Sequence, residues 1–406
     1  MTAQPAAYRH NFRTFLFHAT FLALAQNFMD VDTVMPAMLF ESGGTAMHVG
    51  ILTAIMLGGS SLTQLFFASY LSGKPYKKRF LLYGINLRVF SLLALGFILL
   101  SLQGAESIWV LPSIFVFITL FSLSGAYANI SYVDILGKSL DPDRRKNFFS
   151  TKQILTGLVF VVGASLARKV LAIDEYPYNF AWMFFTGGGF LFIASFGFWG
   201  IKETEPSQKK VKGFKAFVRT LREELKTNDR LKYFLGFVNT QGIIISFLPF
   251  ILYFAKQELQ AQPSDTGNYL LFKVLGTVTV SFLVLLGGRR IKYQGLLWFN
   301  YVLSLIIVVM AFWVDSLSAI RYLFILGGIS YAVYSISMNG LLLEISTSEN
   351  RAIYTGFVGA GNLVPALFPL AGAWMVDHLP FSQFLSLFAG ILLIAGIFIR
   401  KLSVDS

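Results

Sequence analysis

Phe80-Leu-Leu-Tyr-Gly-Ile-Asn-Leu-Arg-Val-Phe-Ser-Leu-Leu-Ala-Leu-Gly-Phe-Ile-Leu-Leu100 carries a single charge, Arg88, within an otherwise apolar run. A helix of roughly 20 apolar residues crosses the hydrocarbon core of a bilayer. Only helices and closed barrels satisfy their backbone there, and a run this continuous lacks the polar alternation of a barrel strand. About twelve stretches of this kind tile the chain. They fall near 12–39, 47–72, 79–103, 108–136, 148–172, 179–201, 231–255, 266–287, 294–314, 319–345, 352–376 and 380–400. The sequence therefore predicts an all-α polytopic membrane protein of 12 transmembrane helices.

Composition agrees. The chain of 406 residues is 55% hydrophobic and only 13% charged, with mean hydropathy +0.64, outside the range of soluble globular folds. Its 42 Phe suit lipid contact and helix packing. With no cysteine, disulfides and thiolate metal sites are excluded. His10, His18, His48 and His378 are scattered without metal-ligand spacing, so neither a metal nor a cofactor is expected.

The net charge of +12 is distributed in alternate loops rather than in one nucleic-acid-binding patch. Lys74, Lys77, Lys78 and Arg79 follow span two; Lys138, Arg144, Arg145 and Lys146 follow span four; Arg289, Arg290 and Lys292 follow span eight. Arg9 and Arg13 precede span one, and Arg400 and Lys401 follow the last span. The intervening loops carry Glu41, Glu106 and Asp315, with Arg168 and Lys169 offset by Asp174 and Glu175. The positive-inside rule then places both termini in the cytoplasm and the chain in the cell's inner membrane. The first apolar run has no small-residue cleavage site and reads as a true span.

The longest polar stretch, 202–230, separates a first half (1–201) from a second (231–406). Phe214, Phe217, Leu221 and Leu225 recur at helical steps opposite Lys209, Lys210, Lys212 and Lys215, which predicts an amphipathic linker helix at the membrane surface. The halves carry matching signals. Span four reads Asn129-Ile-Ser-Tyr-Val-Asp134 and is followed by Arg144 and Arg145; span ten reads Asn339-Gly-Leu-Leu-Leu-Glu344 and is followed by Arg351. The loops Gly73-Lys-Pro-Tyr-Lys-Lys-Arg79 and Gly287-Gly-Arg-Arg-Ile-Lys292 also correspond. Two parallel six-helix repeats are the architecture of rocking transporters with a midplane site.

On these features the chain resembles the major facilitator superfamily over essentially its whole length. The resemblance rests on topology more than on motif. In the family's loop motif after span two, Lys77 and Lys78 stand for the basic pair, but Gly73 and Tyr76 occupy the places of Asp and Gly. Asp134 with Arg144 or Arg145 matches the loop between spans four and five. The Arg of span four is absent, and Arg88 lies in span three instead. The Gly-Pro-rich signature of drug antiporters is reduced to Gly157 and Gly163. The resemblance implies two pseudo-symmetric six-helix bundles, alternating access, and a central cavity lined in part by span one.

Ionisable groups at bilayer depth are functional candidates by default. As one continuous helix, span one would place Asp30 and Asp32 about 200° apart. Asp30 then shares a polar stripe with Gln26 and Asn27, fit to line a cavity, with Asp32 nearer the mouth. A carboxyl group in such surroundings can take up and release a proton near physiological pH. Asp30 is the leading proton carrier on this reading. Lys273 in span eight lies at a matching depth, either to pair with these acids across the halves, to hold an anionic substrate, or to snorkel outward. Arg88 and Asn129 are read as a structural or gating contact. Asp134 with Arg144 or Arg145, and Glu344 with Arg351, are read as cytoplasmic clamps that break and reform. Asn239, Gln241, Asn362, Tyr331, Tyr334 and Asn339 are further substrate-contact candidates, with Tyr331, Tyr334, Ser335 and Asn339 roughly on one stripe.

The function expected is secondary active transport of a small organic solute by a monomer, coupled to protons. No phosphate-cradling Gly-Lys-Ser/Thr loop is present to suggest direct ATP drive. An enzyme would need a clustered nucleophile and base. A non-transporting sensor or scaffold, or a proton-independent uniporter, remains as an alternative.

Overall fold

The computed structural model describes residues 3–72, 74–102, 107–140, 145–204, 206, 219, 222–287, 291–345, 358–359 and 361–404. Every regular element among them is helical. The chain runs α1 (Ala3–Asn27), α2 (Val34–Glu41), α3 (Ala46–Ser72), α4 (Lys78–Ser101), α5 (Val110–Ser139), α6 (Arg145–Ile173) and α7 (Tyr178–Gly200). It continues through α8 (Asp229–Gln241), a 3-10 turn (Gly242–Ser246), α9 (Phe247–Leu259), α10 (Pro263–Gly287), α11 (Tyr293–Ala311), α12 (Leu317–Ile345), α13 (Leu363–His378) and α14 (Phe381–Val404). Nine described helical segments are long and apolar enough to cross a membrane. The other three expected spans fall on α1 with α2, on α3 and on α13. Of the linker expected at 202–230, residues 222–227 are helical, with Leu225 packed against the core of the second unit; 207–218 and 220–221 lie outside the described residues, as do Arg289, Arg290, Arg144, Arg351 and the side chain of Arg145.

Two compact units emerge. One contains residues 1–30 and 62–214; the other contains 31–61 and 215–406. Residues 31–61 group with the second of these units. Within the first unit, α4 packs on α5 and α7, and α1 packs on α6 and α7. Small residues permit the closest approach: a Cβ on Gly84 would sit 2.8 Å from the Cβ of Ala128 on α5. Within the second unit, α12 packs on α10 and α11, α14 on α8 and α11, and α2 on α9 and α10. Its core gathers Leu231, Phe234, Phe237, Val238, Leu297 and Ile399. Phe97, Trp109, Leu158, Trp182, Phe282 and Trp313 stand exposed on the surface, as side chains facing lipid do.

Span one is the main departure from expectation. It is not one helix across 12–39, because residues 28–33 interrupt it between α1 and α2. At the break the ladder tightens, with Phe28 N donating to Ala25 O (3.0 Å) and Met29 N to Gln26 O (3.4 Å). The cause lies further on. Pro36 is the third residue of α2, and proline lacks the N–H that would reach the carbonyl of Asp32. A helix that starts at Val34 places Pro36 in its first turn, where its missing N–H costs no ladder bond. The same device occurs twice more. Pro249 is the third residue of α9, after the 3-10 turn in span seven, and Pro365 is the third residue of α13. Span one is thus broken over 28–33, whereas span seven stays helical and only tightens to a 3-10 turn over Gly242–Ser246.

Candidate functional site

The break in span one releases Asp30 and Asp32 from helical geometry, so the 200° separation does not apply. Asp32 is buried and Asp30 half-buried. In the second unit Lys273 Nζ lies 2.5 Å from Asp32 Oδ2, with only 10% and 11% of the two side chains exposed. Lys273 is therefore buried rather than snorkelling to the surface, and it pairs with Asp32. Its Nζ also lies 6.0 Å from the ring centroid of Tyr331. Backbone packing fixes the lysine's place. A Cβ on Gly328 of α12 would collide with the carbonyl of Lys273, and Thr277 Oγ1 donates to Gly328 O (3.0 Å).

Further contacts fasten the same stretch of chain, and sequence reading missed them. Glu41 at the end of α2 pairs with Lys256 of α9. Asp377 of α13 accepts from Met47 N (3.3 Å) and from the Tyr253 hydroxyl (3.1 Å). The legible signal was an acid or base at a helix end among neutral neighbours, which names no partner.

Asn239 is committed to backbone. Its Nδ2 donates to Leu235 O (2.8 Å) and Gly361 O (2.7 Å), and its Oδ1 accepts from Val364 N (2.9 Å). Gly361 O is the carbonyl that Pro365, four residues on, cannot satisfy, and Val364 N is an orphan donor of the helix start. Asn239 repairs both, which assigns it a structural task rather than a solute contact. Gln241 is buried too: its Nε2 donates to Ser304 Oγ (2.8 Å), which donates to Asn300 O (2.7 Å), while Ser330 Oγ donates to Asn300 Oδ1 (2.8 Å). Asn362 caps the break ahead of α13 without a side-chain cap bond, and its Oδ1 is buried without a partner among the described residues. The stripe expected in span ten divides. Tyr331 and Asn339 are exposed, Asn339 Nδ2 donating to Ser335 O (2.8 Å), whereas Tyr334 is buried against Phe237. Glu344 is exposed.

In the first unit Asn27 is fully buried, its Nδ2 donating to Ala23 O (2.9 Å), and Gln26 is exposed. Arg88 does not meet Asn129, which is exposed. Its guanidinium carbon stands 4.2 Å from the ring centroid of Phe121, beside Gly125. Asp134 is held by lysines: Lys77 Nζ at 2.7 Å and Lys138 Nζ at 3.2 Å. The acid overlooked in the sequence is Glu203. It accepts from Lys77 N (2.8 Å) and Lys78 N (2.8 Å) and pairs with Lys138 (2.7 Å), with 3% of its side chain exposed. A carboxylate at the start of α4 satisfies orphan donors and complements the helix dipole. Lys77 and Lys78 thus act through both backbone and side chain where the loop motif lacks its Asp.

The sequence profile of the Major Facilitator Superfamily matches residues 16–360. The chain belongs to that superfamily. Solved structures of superfamily transporters share its fold. One is a point mutant of nucleoside transporter NupG (TM-score 0.70, 12% identity, covering 97% of this chain and 99% of that one). A second is a POT family transporter in complex with a thioalcohol-conjugated peptide (TM-score 0.72, 10% identity, 97% and 96%). A third is a bacterial homologue of the iron transporter ferroportin in an outward-facing state with soaked iron (TM-score 0.65, 15% identity, 97% and 99%). No curated protein sequence matches the chain. Membership of the superfamily makes this a multi-pass membrane protein with a transporter fold, and a broken first span sits well in such a fold. Interrupted helices in transporters expose backbone and ionisable groups where a solute or ion binds.

Proposed function

We propose that this chain is a proton-coupled secondary transporter of a small organic solute, working by alternating access as a monomer. The buried Asp32–Lys273 pair at the break in span one carries the reading. A buried ion pair survives only while both partners keep their charge, because a lone buried charge is costly. Protonating Asp32 removes the attraction and frees α2 from α10. Proton uptake and helix release then become one event, which is what coupling requires. Asp30, Gln26 and Asn27 in the first unit, and Tyr331, Asn339 and Asn362 in the second, are the further residues we assign to solute or proton contact. The Asp134, Lys77, Lys138 and Glu203 cluster is a cytoplasmic clamp.

The reading includes the placement of the chain. Basic loops put both termini in the cytoplasm of a cell whose inner membrane it spans twelve times, as two six-helix halves joined by 202–230. The structural neighbours named for nucleosides and peptides support a small solute.

The test is uptake into proteoliposomes under an imposed proton gradient, with nucleosides and dipeptides as first solutes. A pH-sensitive dye inside reads proton movement. Wild type accumulates solute and acidifies the lumen together. Asp32→Asn retains solute exchange at zero gradient but loses accumulation by at least tenfold. Full gradient-driven accumulation in both Asp30→Asn and Asp32→Asn refutes proton coupling through this site. Solute equilibration without proton movement in wild type would make the protein a uniporter, and binding without flux a sensor.

A further inference from the structure

We propose that the groove along the first two turns of α11, in the second unit, binds an anionic phospholipid, with the phosphodiester held at Lys292 and an acyl chain laid along Phe299 and the residues beyond it. The inference does not depend on transport. Ile291, Lys292, Gly295, Leu296, Trp298 and Phe299 are among the residues that line the groove. Gly295 keeps it open, since a Cβ there would meet nothing within 4 Å. Lys292 stands exposed at its mouth and forms no ion pair among the described residues.

The groove does not end at Phe299. Val302, Ile306 and Val309 follow at helical steps of three and four, and all are exposed. One face of α11 is thus a continuous apolar track that begins at a cation. That is the shape of a phospholipid, a charged head on a hydrocarbon tail.

A second cation lies at the level of the head. A Cβ on Gly396 of α14 would sit 2.8 Å from the Tyr301 hydroxyl of α11. The Tyr301 ring meets that of Trp298 edge-on at 5.6 Å, one turn nearer the start of α11. Arg400 lies one turn beyond Gly396, nearer the end of α14, and is exposed. The antiparallel helices therefore bring Lys292 and Arg400 to the same rim, on either side of Trp298. The acid nearest by register is Glu344. Gly340 of α12 packs on the Tyr293 ring, and Glu344 follows one turn later. It is exposed and pairs with neither cation among the described residues.

Charge decides the class of lipid. Each basic residue at a membrane surface favours an anionic headgroup by a Coulomb attraction that a zwitterionic one, carrying its own ammonium, largely cancels. Trp298 suits the boundary where head and tail meet. The start of α11 adds to the attraction without carrying it. Its N-cap, Lys292, offers no side-chain acceptor, and no acid occupies its first turn.

Full-length protein purified in detergent would be titrated with phosphatidylglycerol, with phosphatidylcholine of the same acyl chains and with glycerol 3-phosphate, and bound ligand counted by native mass spectrometry. Phosphatidylglycerol should bind at least about tenfold more tightly than phosphatidylcholine, and glycerol 3-phosphate far more weakly than either. Lys292→Gln weakens phosphatidylglycerol about fivefold, the worth of one surface lysine, and leaves phosphatidylcholine unchanged. The double variant Lys292→Gln/Arg400→Gln loses the preference for the anionic lipid. Gly295→Leu fills the groove and weakens phosphatidylglycerol by about fivefold or more at an unchanged unfolding temperature. Arg79→Gln, an exposed basic residue of the first unit, has no effect. Should Lys292→Gln fail to fold, Gly295→Leu decides. Equal affinity for the two lipids, or wild-type affinity in both Lys292→Gln and Gly295→Leu, overturns the site. A preference that survives the double variant overturns the role of the two cations. Glycerol 3-phosphate binding as tightly as the lipid overturns the phospholipid as the occupant.

Discussion

Replacing Asp32 with Asn removes one charge from a pair whose atoms stand 2.5 Å apart and whose side chains are about nine-tenths buried. At an effective dielectric near 20 the gross attraction at that separation is about 7 kcal/mol. Desolvation of both ions offsets most of it, so the intact pair adds little against an apolar substitute. The asymmetry matters more. Asp32→Asn takes this counter-charge from the buried Lys273 ammonium, at a cost of about 3–5 kcal/mol, and Lys273→Met takes this cation from Asp32 at a similar cost. The double variant Asp32→Asn/Lys273→Met removes both charges of the pair, and falls within about 2 kcal/mol of wild type. The two single losses together then exceed the double loss by about 4–8 kcal/mol, comparable to the gross attraction. Unfolding in mixed micelles, titrated with a denaturing detergent and read by tryptophan fluorescence, gives the order of the four proteins. An Asp32→Asn protein as stable as wild type, or a double variant weaker than either single, would refute the reasoning.

Three further outcomes follow from the packing. Asn239→Ala leaves Gly361 O and Val364 N without their partner and costs about 2–4 kcal/mol, read by the same titration. Asn239→Asp, which keeps the acceptor for Val364 N, loses less only if the carboxyl is protonated. Glu203→Ala strips two backbone donors and Lys138 of their shared acceptor; it should cost about 2–4 kcal/mol and speed protease cleavage near residues 202–206. Gly328→Ala drives a methyl group into the carbonyl of Lys273 and destabilises by about 1–3 kcal/mol, whereas Gly295→Ala, which meets open space, is neutral or gains about 0.5–1 kcal/mol. Equal effects at the two glycines would sink the packing argument.

The class of fold was legible in the sequence because backbone satisfaction in lipid leaves few options, and runs such as 80–100 allow only one. Helix interruption was harder to see. Val34, Met35 and their neighbours are apolar enough to continue a span, and apolarity masks a break. The signal was nonetheless present in Pro36, Pro249 and Pro365, each of which forbids a ladder bond to the residue four before it. Depth along a helix pointed to Lys273 as a partner for the acids of span one. It did not give the place of Asp32 itself, which depends on how the chain turns through 28–33. Amide groups were the least legible. Asn239, Gln241 and Asn362 look alike as polar residues in apolar helices, yet Asn239 closes a backbone defect, Gln241 joins a buried hydroxyl network and Asn362 caps a break. Only the position of the other spans separates these tasks. Arg88 stands out in the sequence as a lone charge deep in a span, yet its contact with the Phe121 ring does not.

Asn239 also changes how spans seven and eleven should be treated mechanically. A side chain from one rod grips the carbonyl and the amide on either side of the joint in the other. Pulling α8 along its axis must drag the start of α13 with it or shear both bonds together. The two spans therefore work as a lever with a common fulcrum at residue 239, and strain applied at either interruption is delivered to the other without passing through the lipid-facing surface.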